Sequence, residues 1–379
     1  MFQLIKNVEV FAPQSKGIND ILLYGDKIVA VQPNITFTFG DVTVIDGRGK
    51  KALPGFIDQH VHVTGGGGEG SFRSRVPELE LSHAIENGVT TVVGLLGTDS
   101  TTRSVENLVA KTKGLNEDGL TAYCLTGAYE YPSPTVTGSV KKDVTFIKEC
   151  LGVKIAISDH RNSVITTQEL ARLAADVRQA ALFSGKAGVV HMHTGRGKAG
   201  LSQVFDILEH TDVPAKHFRP THCASQYNDA IRFANMGGFV DFTTHDNFAQ
   251  VAKLLHQAMN DIENKENMTC SSDSNGSMPI WDEKRENMIG MGVGSMKTLY
   301  GCIKALITEE GVSLTDAISL ITSNVAKALE IYPQKGCIAA QSDADLVLLD
   351  ENLDIDTVFA KGRMMMQNKE ILVRSYFGK

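Results

Sequence analysis

The feature that most restricts the fold of this sequence is a regular alternation of short apolar runs with amphipathic stretches. The runs cover residues 53–56, 89–96, 121–125, 153–157, 188–191, 219–221, 238–242 and 268–271. Helix-patterned stretches such as 167–182, 201–209 and 226–235 separate most of them. Short runs without polar alternation suit strands covered on both faces, and a helix between two strands returns the chain so that both run the same way. Eight such units predict an α/β protein with a (β/α)8 TIM-like barrel over residues 53–337. Such a barrel uses roughly 250 residues, and the chain has 379, so one small domain more fits.

The two ends of the chain have a different pattern. Residues 20–24 and 27–31 flank Gly25-Asp26, and residues 42–45 run into Asp46-Gly47. Near the other end, residues 344–349, 356–360 and 371–373 are again rich in strand formers. Strands joined by glycine turns at both ends predict one small β-sandwich domain, residues 1–52 plus 338–379. The polar run 260–267 reads as a solvated helix end or loop.

Charge and cysteine usage narrow the partners. Lys and Arg number 37 against 44 Asp and Glu, a net charge of −7, so the basic footprint of a nucleic-acid binder is missing. No run approaches the ~18 apolar residues of a membrane span, and the first residues lack the basic-then-apolar pattern of a leader. Six cysteines, at 124, 150, 223, 270, 302 and 337, are scattered without a CxxC pair. That spacing predicts reduced thiols in a cytoplasmic protein rather than a disulfide framework.

The strand ends carry the chemistry. Asp58-Gln59-His60-Val61-His62 follows the first run, and residues two apart in a strand share a face, so His60 and His62 present two imidazoles together. Neutral imidazole is a common ligand for zinc-like ions. Two histidines so spaced also occur by chance; position at a strand's C-terminal end, where barrel enzymes build their sites, favours the metal. The fifth run leads into His191-Met192-His193, the sixth into Thr221-His222, and the eighth into Ser271-Ser272-Asp273. Lys154 lies inside the apolar fourth run, where lysine is rare unless paired or modified. A carbamylated Lys154 supplies a carboxylate able to bridge two cations. His191 and His193 share a strand face and compete for one ligand role; His193, nearer the strand's C-terminal end, is the better placed.

This order of residues resembles the amidohydrolase superfamily, and within it the isoaspartyl (β-aspartyl) dipeptidase family, over nearly the whole chain. The segments that carry the resemblance are Gln59-His60-Val61-His62 with Gly65-Gly66-Gly67-Gly68-Glu69, Gly94-Leu95-Leu96-Gly97-Thr98-Asp99, Leu125-Thr126-Gly127-Ala128-Tyr129, Thr137-Gly138-Ser139-Val140, Gly152-Val153-Lys154, Ala156-Ile157-Ser158-Asp159-His160-Arg161 and Ser271-Ser272-Asp273-Ser274-Asn275-Gly276-Ser277. The resemblance implies two divalent ions, zinc by preference. His60 and His62 hold one, His193 and His222 the other, carbamylated Lys154 bridges them, and Asp273 binds a metal and acts as general base. It implies that Glu69 meets the substrate ammonium, helped by Gly67 and Thr98. Tyr129 polarises the scissile carbonyl, and Arg161 and Ser277 contact carboxylates.

The activity so implied is hydrolysis of the isopeptide bond of a small zwitterionic β-aspartyl dipeptide by a metal-bridging hydroxide, in a homo-oligomer. The alternative is a cyclic-amide hydrolase of the dihydroorotase or hydantoinase kind, or an N-acyl amino acid deacylase; a free-amine site at Glu69 and Thr98 argues against it. A non-catalytic assembly protein that lost its metals predicts missing ligands, and every ligand type is present. In one respect the chain departs from the family pattern. The pattern places an arginine three residues after the sixth-strand histidine to grip a carboxylate, and here Cys223-Ala224-Ser225-Gln226 has none. Either Arg219 or Tyr227 takes over, or the carboxylate is held differently.

Overall fold

The structure is a computed structural model and describes residues 2–38, 40–282 and 288–378. Strands β1 (Phe2–Phe11), β2 (Ser15–Tyr24), β3 (Lys27–Gln32), β4 (Val42–Asp46) and β5 (Lys51–Pro54) belong to one terminal sheet. Strands β6 (Phe56–Val61), β7 (Val89–Gly94), β8 (Thr121–Gly127), β9 (Cys150–Ile157), β10 (Val189–Thr194) and β11 (Phe218–Thr221) form a second sheet in sequence order. All its neighbours are parallel. Strands β12 (Val240–Thr243) and β13 (Met268–Ser271) make a parallel pair, and β14 (Ser277–Trp281) and β15 (Met288–Val293) an antiparallel hairpin. Strands β16 (Leu346–Leu349), β17 (Ile355–Ala360), β18 (Arg363–Gln367) and β19 (Glu370–Ile371) return to the terminal sheet.

The helices follow their local signals. Thr166 and Glu169 form a reciprocal capping box before α4 (Thr167–Ser184), and Gly185 ends it in the left-handed conformation, φ 66°. Ser104 caps α2 (Val105–Asp118) by accepting from the Asn107 amide. Apolar faces of these helices cover the parallel sheet: Leu108 and Leu115 of α2 and Leu170, Ala174 and Val177 of α4 all join the main core.

The six-stranded sheet is curled into a half-barrel, and its two edges meet the β12–β13 pair. A parallel bridge joins Val61 at the end of β6 to Ser274, and the His62 amide donates to the Ser274 carbonyl at 2.9 Å. On the other side Thr221 of β11 donates to Asp241 of β12 at 2.7 Å. Polar side chains cross the interior: Gln59 of β6 donates to Asp241 and to Thr269 of β13, at 2.8 and 2.6 Å.

The strand boundary at the first run differs from the sequence expectation. Leu53 and Pro54 pair antiparallel with Val347 and Leu346 in the terminal sheet, and the first strand of the half-barrel starts at Phe56. Gly55 is the swivel. A Cβ there would lie 2.2 Å from Thr90 Oγ1, so the chain passes from one sheet to the other too tightly for any side chain. The terminal strands form a single hydrogen-bonded sheet of nine, ordered β19-β18-β17-β16-β5-β1-β2-β3 with β4 on β1. It folds over on itself, because the β2–β3 turn at Gly25 touches the β17–β18 turn at Gly362; a Cβ on Gly362 would lie 1.9 Å from the Gly25 carbonyl oxygen. Ile5, Ile21, Leu23, Leu346, Leu348 and Phe359 fill the space enclosed. The run 260–267 contains the end of α7 (Phe248–Asp261) and a 3-10 turn, as its polarity predicts.

One ion cluster pins the terminal sheet near the swivel. Lys335 is buried between Asp343, at 2.9 Å, and Asp345, and burial is outweighed there by the two carboxylates, which hold its ammonium up at about 12. Asp345 also accepts from the Lys361 amide at 2.7 Å. Lys335→Met leaves the buried Asp345 without its cation, while Asp343 keeps Lys27 at 2.5 Å, and is expected to cost about 3–5 kcal/mol. Urea unfolding of the variant against the parent measures it, and a change under 1 kcal/mol would mean that water replaces the lysine.

Candidate active site

The predicted ligand residues converge at the C-terminal ends of the parallel strands. His60 is the last residue but one of β6 and His62 lies one residue past it, so the backbone order of a strand end sets both rings on the interior side. Asp273 stands two residues past β13, at φ 52°, and His222 directly follows β11 at φ 61°. Left-handed backbone at non-glycine residues is costly and collects where a side chain must be re-aimed. Gly276 and Gly97 clear space for His62. Cβ atoms on them would lie 3.0 and 2.9 Å from its ring.

His60 Nε2 and His62 Nε2 approach Asp273 Oδ1 at 3.3 and 3.0 Å. One ligand atom from each of the three residues falls within 4.8 Å of the others. The His60 and His222 rings lie 5.1 Å apart, and those of His222 and His193 4.6 Å apart. Lys154 is fully buried in β9, and its Nζ has no hydrogen-bond partner among the described residues. Both His191 and His193 line the same interior. His191 is the deeper, with Nε2 at 2.9 Å from His60 Nδ1; His193 is at the mouth, touching Tyr129 and Asp159.

Burial sets the protonation of this floor. It pushes the His60 imidazole down to about 3 and that of His193 to about 4, and holds His191 and His222 well below the usual range. It also pushes the Lys154 ammonium down to about 7. The result is a buried set of lone pairs with few protons, the donor chemistry that divalent metal ions take up. Among the described residues, His62 Nδ1, Asp273 Oδ1 and Lys154 Nζ are buried without a hydrogen-bond partner, which fits residues waiting for a cation.

Above the floor is a polar rim. Glu69 accepts from Thr98 Oγ1 at 3.1 Å and from Ser277 Oγ at 3.1 Å, and Arg161 stands 3.6 Å away. Arg161 grips Asp159 through two hydrogen bonds of 2.9 and 3.1 Å and lies over the Tyr129 ring, 5.3 Å from its centre. The Tyr129 hydroxyl is 2.6 Å from His193 Nδ1, and burial holds its proton on well above the ordinary phenol range. Gly67, at φ 80°, shapes the loop below Glu69; a Cβ there would meet the Ser74 carbonyl oxygen at 2.3 Å.

Two expectations are corrected. Arg219 does not reach the rim. It is wholly buried and donates to Gln59 at 2.8 Å and to the Ala328 carbonyl at 3.0 Å, because its place in β11 aims it into the interior. Tyr227 points outward from α6 (Tyr227–Asn235) and donates to Asp261 at 2.6 Å. Ser225 bonds the Thr194, Gly195 and His222 carbonyls and so ties loops together.

Sequence reading passed over two contributors. Asp159 holds both Arg161 and His193; its signal was an acid two residues before an arginine, just past a strand. Asp58 is fully buried, accepts from the Ser272 amide at 3.2 Å and from its hydroxyl, and thereby fixes the turn that carries Asp273. Its signal was an aspartate two residues before His60 inside an apolar strand.

The sequence matches the Amidohydrolase family over residues 52–365. The chain belongs to that family. Among solved structures it is similar to the β-aspartyl dipeptidase of Fervidobacterium islandicum AW-1 in complex with the β-Asp-Leu dipeptide, with 40% identity, 98% of each chain covered and a TM-score of 0.91. A second structure of the dipeptidase from that organism gives 38% identity, 98% of each chain and 0.89. A dihydroorotase of Elusimicrobium minutum is 34% identical over 124 residues, 31% of this chain and 28% of that protein. The chain thus aligns with little more than a quarter of that relative's length.

A divalent ion that binds only the folded chain stabilises it, by about 2.7 kcal/mol at a hundredfold excess over its Kd. Zinc added to metal-free protein is expected to raise Tm, and His62→Ala to reduce that rise. An equal rise in the variant would remove His62 from the ligand set.

Proposed function

We propose that this chain is a metal-dependent dipeptidase that hydrolyses the isopeptide bond of β-aspartyl dipeptides. The observation that carries the reading is the pairing of Glu69 with Arg161, 3.6 Å apart, above a floor where burial keeps His60, His193 and His222 neutral. A rim with one acid and one base suits a substrate bearing an ammonium and a carboxylate on neighbouring atoms; a cyclic amide has no ammonium to hold. The likeness to an enzyme solved with β-Asp-Leu supports it.

The reading assigns two divalent ions, zinc by preference. His60, His62 and Asp273 hold one, His193 and His222 the other, and a carbamylated Lys154 bridges them. Burial brings the partnerless Lys154 ammonium down to about 7, so that near neutral pH a share of it is the free amine, the form that takes up carbon dioxide. When bound, the ions supply Lewis acidity and a water ionised near neutral pH.

The chain's own residues do the rest. Glu69 receives the α-ammonium, with Gly67 and Thr98 shaping its loop. Arg161 and Ser277 receive the adjacent α-carboxylate. Tyr129 keeps its proton and donates it as a hydrogen bond to the scissile carbonyl oxygen as charge develops there. Asp273 takes a proton from water and passes it to the departing nitrogen as the C–N bond breaks. One water is consumed, and aspartate and a free amino acid leave.

The same reading closes the half-barrel and the β12–β13 pair into a (β/α)8 barrel over residues 53–337, carrying a β-sandwich of residues 1–52 plus 338–379. It places the protein in the cytoplasm as a homo-oligomer. The six cysteines, all buried and unbridged, suit a reducing compartment. No helix of the described residues is long and apolar enough to cross a membrane.

Free aspartate is expected from β-Asp-Leu and none from α-Asp-Leu. Asp273→Asn should lower kcat by about 10²–10⁴-fold with the fold kept, and a kcat within twofold of the parent would remove Asp273 as the base. N-acetylation of the substrate should abolish cleavage. Efficient turnover of the blocked peptide would instead favour an N-acyl amino acid deacylase.

A further inference from the structure

The proposed substrate carries three charges: one ammonium and two carboxylates. The rim of Glu69 and Arg161 answers two of them. Glu69 takes the ammonium, and Arg161 stands beside Glu69, where the α-carboxylate of the aspartyl part falls. Arg161 is already shared with Asp159 through two hydrogen bonds, so it has little left for a second carboxylate. The carboxylate of the departing amino acid lies several bonds further on, beyond the scissile amide, and needs a cation of its own.

We infer that Arg196 is that cation and selects substrates whose departing residue ends in a free carboxylate. The inference rests on the dipeptidase reading above. Arg196 is exposed on the loop after β10 and has no ion-pair or hydrogen-bond partner among the described residues. Its backbone is pinned from both sides. The Gly195 and Gly197 amides donate to the Ile157 and Ser158 carbonyls, at 3.3 and 2.7 Å, and the Gly200 amide to Ser158 Oγ at 2.9 Å. From the other side Gln226 Nε2 donates to the Gly195 and Gly197 carbonyls, at 3.0 and 2.9 Å.

The flanking glycines are required by the fit. A Cβ on Gly195 would lie 2.6 Å from Asp159, and one on Gly197 would lie 2.5 Å from the Ser158 oxygen. Across this tight span Arg196 alone carries a side chain, on a backbone pressed against the residue that holds both Arg161 and His193. An anchored loop presenting one free guanidinium is a preorganised carboxylate receptor.

The order round the sheet gives the direction. Glu69 follows β6, Thr98 β7, Tyr129 β8 and Arg161 β9, while Arg196 follows β10. The ammonium end therefore lies over β6 and β7, the scissile carbonyl at Tyr129 and His193, and the departing residue over β10. Two other free cations among the described residues are less well placed: Arg73 is on Glu69's own loop, and Lys198 lies outside the Gly195–Gly197 span that packs on Asp159 and Ser158.

The test compares β-Asp-Leu with β-Asp-Leu amide, which lacks the terminal charge, in the parent enzyme and in Arg196→Gln, Arg196→Lys and Lys198→Gln. Arg196→Gln should raise KM for β-Asp-Leu at least about tenfold with kcat within about twofold, and leave the amide unchanged. Arg196→Lys should recover part of the loss, and Lys198→Gln should alter neither substrate. Equal losses on both substrates, or no loss on either, would overturn the role of Arg196 while leaving the dipeptidase intact. Failure of the parent to cleave β-Asp-Leu would overturn the dipeptidase reading and this inference with it.

Discussion

The site depends on a buried polar joint between the first strand of the half-barrel and the pair of strands that face it. Asp58 reaches from β6 to the amide and hydroxyl of Ser272, and Gln59 beside it reaches Asp241 and Thr269. Arg219 on β11 closes the ring by donating to Gln59. These groups are fully buried, where an unpaired polar atom costs far more than a paired one returns. The arrangement that pairs them is also the one in which His60 and His62 meet Asp273. Burial raises the Asp58 carboxyl to about 7, a measure of how much solvation it gives up to hold that turn.

The floor and the rim follow opposite electrostatic rules. On the floor, burial drives imidazoles and the Lys154 amine toward their neutral forms, which leaves lone pairs facing an enclosed space. Charge introduced there acts through a low local dielectric and is felt strongly. The rim is partly hydrated and keeps its charges by pairing them: Asp159 with Arg161, Arg161 with Glu69, Glu69 with two hydroxyls. Tyr129 joins the two layers, with its hydroxyl on His193 and its ring under Arg161. A zwitterion read at the rim is thereby delivered to a floor suited to cations.

Glycine placement ties the layers to the scaffold. Gly55 allows the passage from the terminal sheet to β6, Gly97 and Gly276 admit the His62 ring, and Gly195 and Gly197 let the β10 loop lie against Asp159. At each place the neighbour stands closer than a Cβ permits. The close approaches, more than any one interaction, fix the height of each loop over the floor.

Much of this was legible in the chain. Alternation of apolar runs and helices gave the parallel units, because a strand covered on both faces must be apolar throughout and each return requires a helix. The HxH spacing, the lysine in an apolar strand and the acid after the last run each marked a strand end, since strand periodicity alone sets which side chains share a face. The misread edge at residues 53–55 came from an apolar run that two sheets divide between them. The resemblance named Arg161 for the rim, but that Arg219 stays away from it was not legible. Arg219 and Arg161 are alike as residues, but the register of β11 turns one into the interior, and a turn after β9 leaves the other beside Glu69. The sequence by itself determined the ligand types and their order, which depend on local spacing. Only the tertiary structure decided which of them meet and which charges stay free, because that depends on how far the sheet curls and on partners from distant strands.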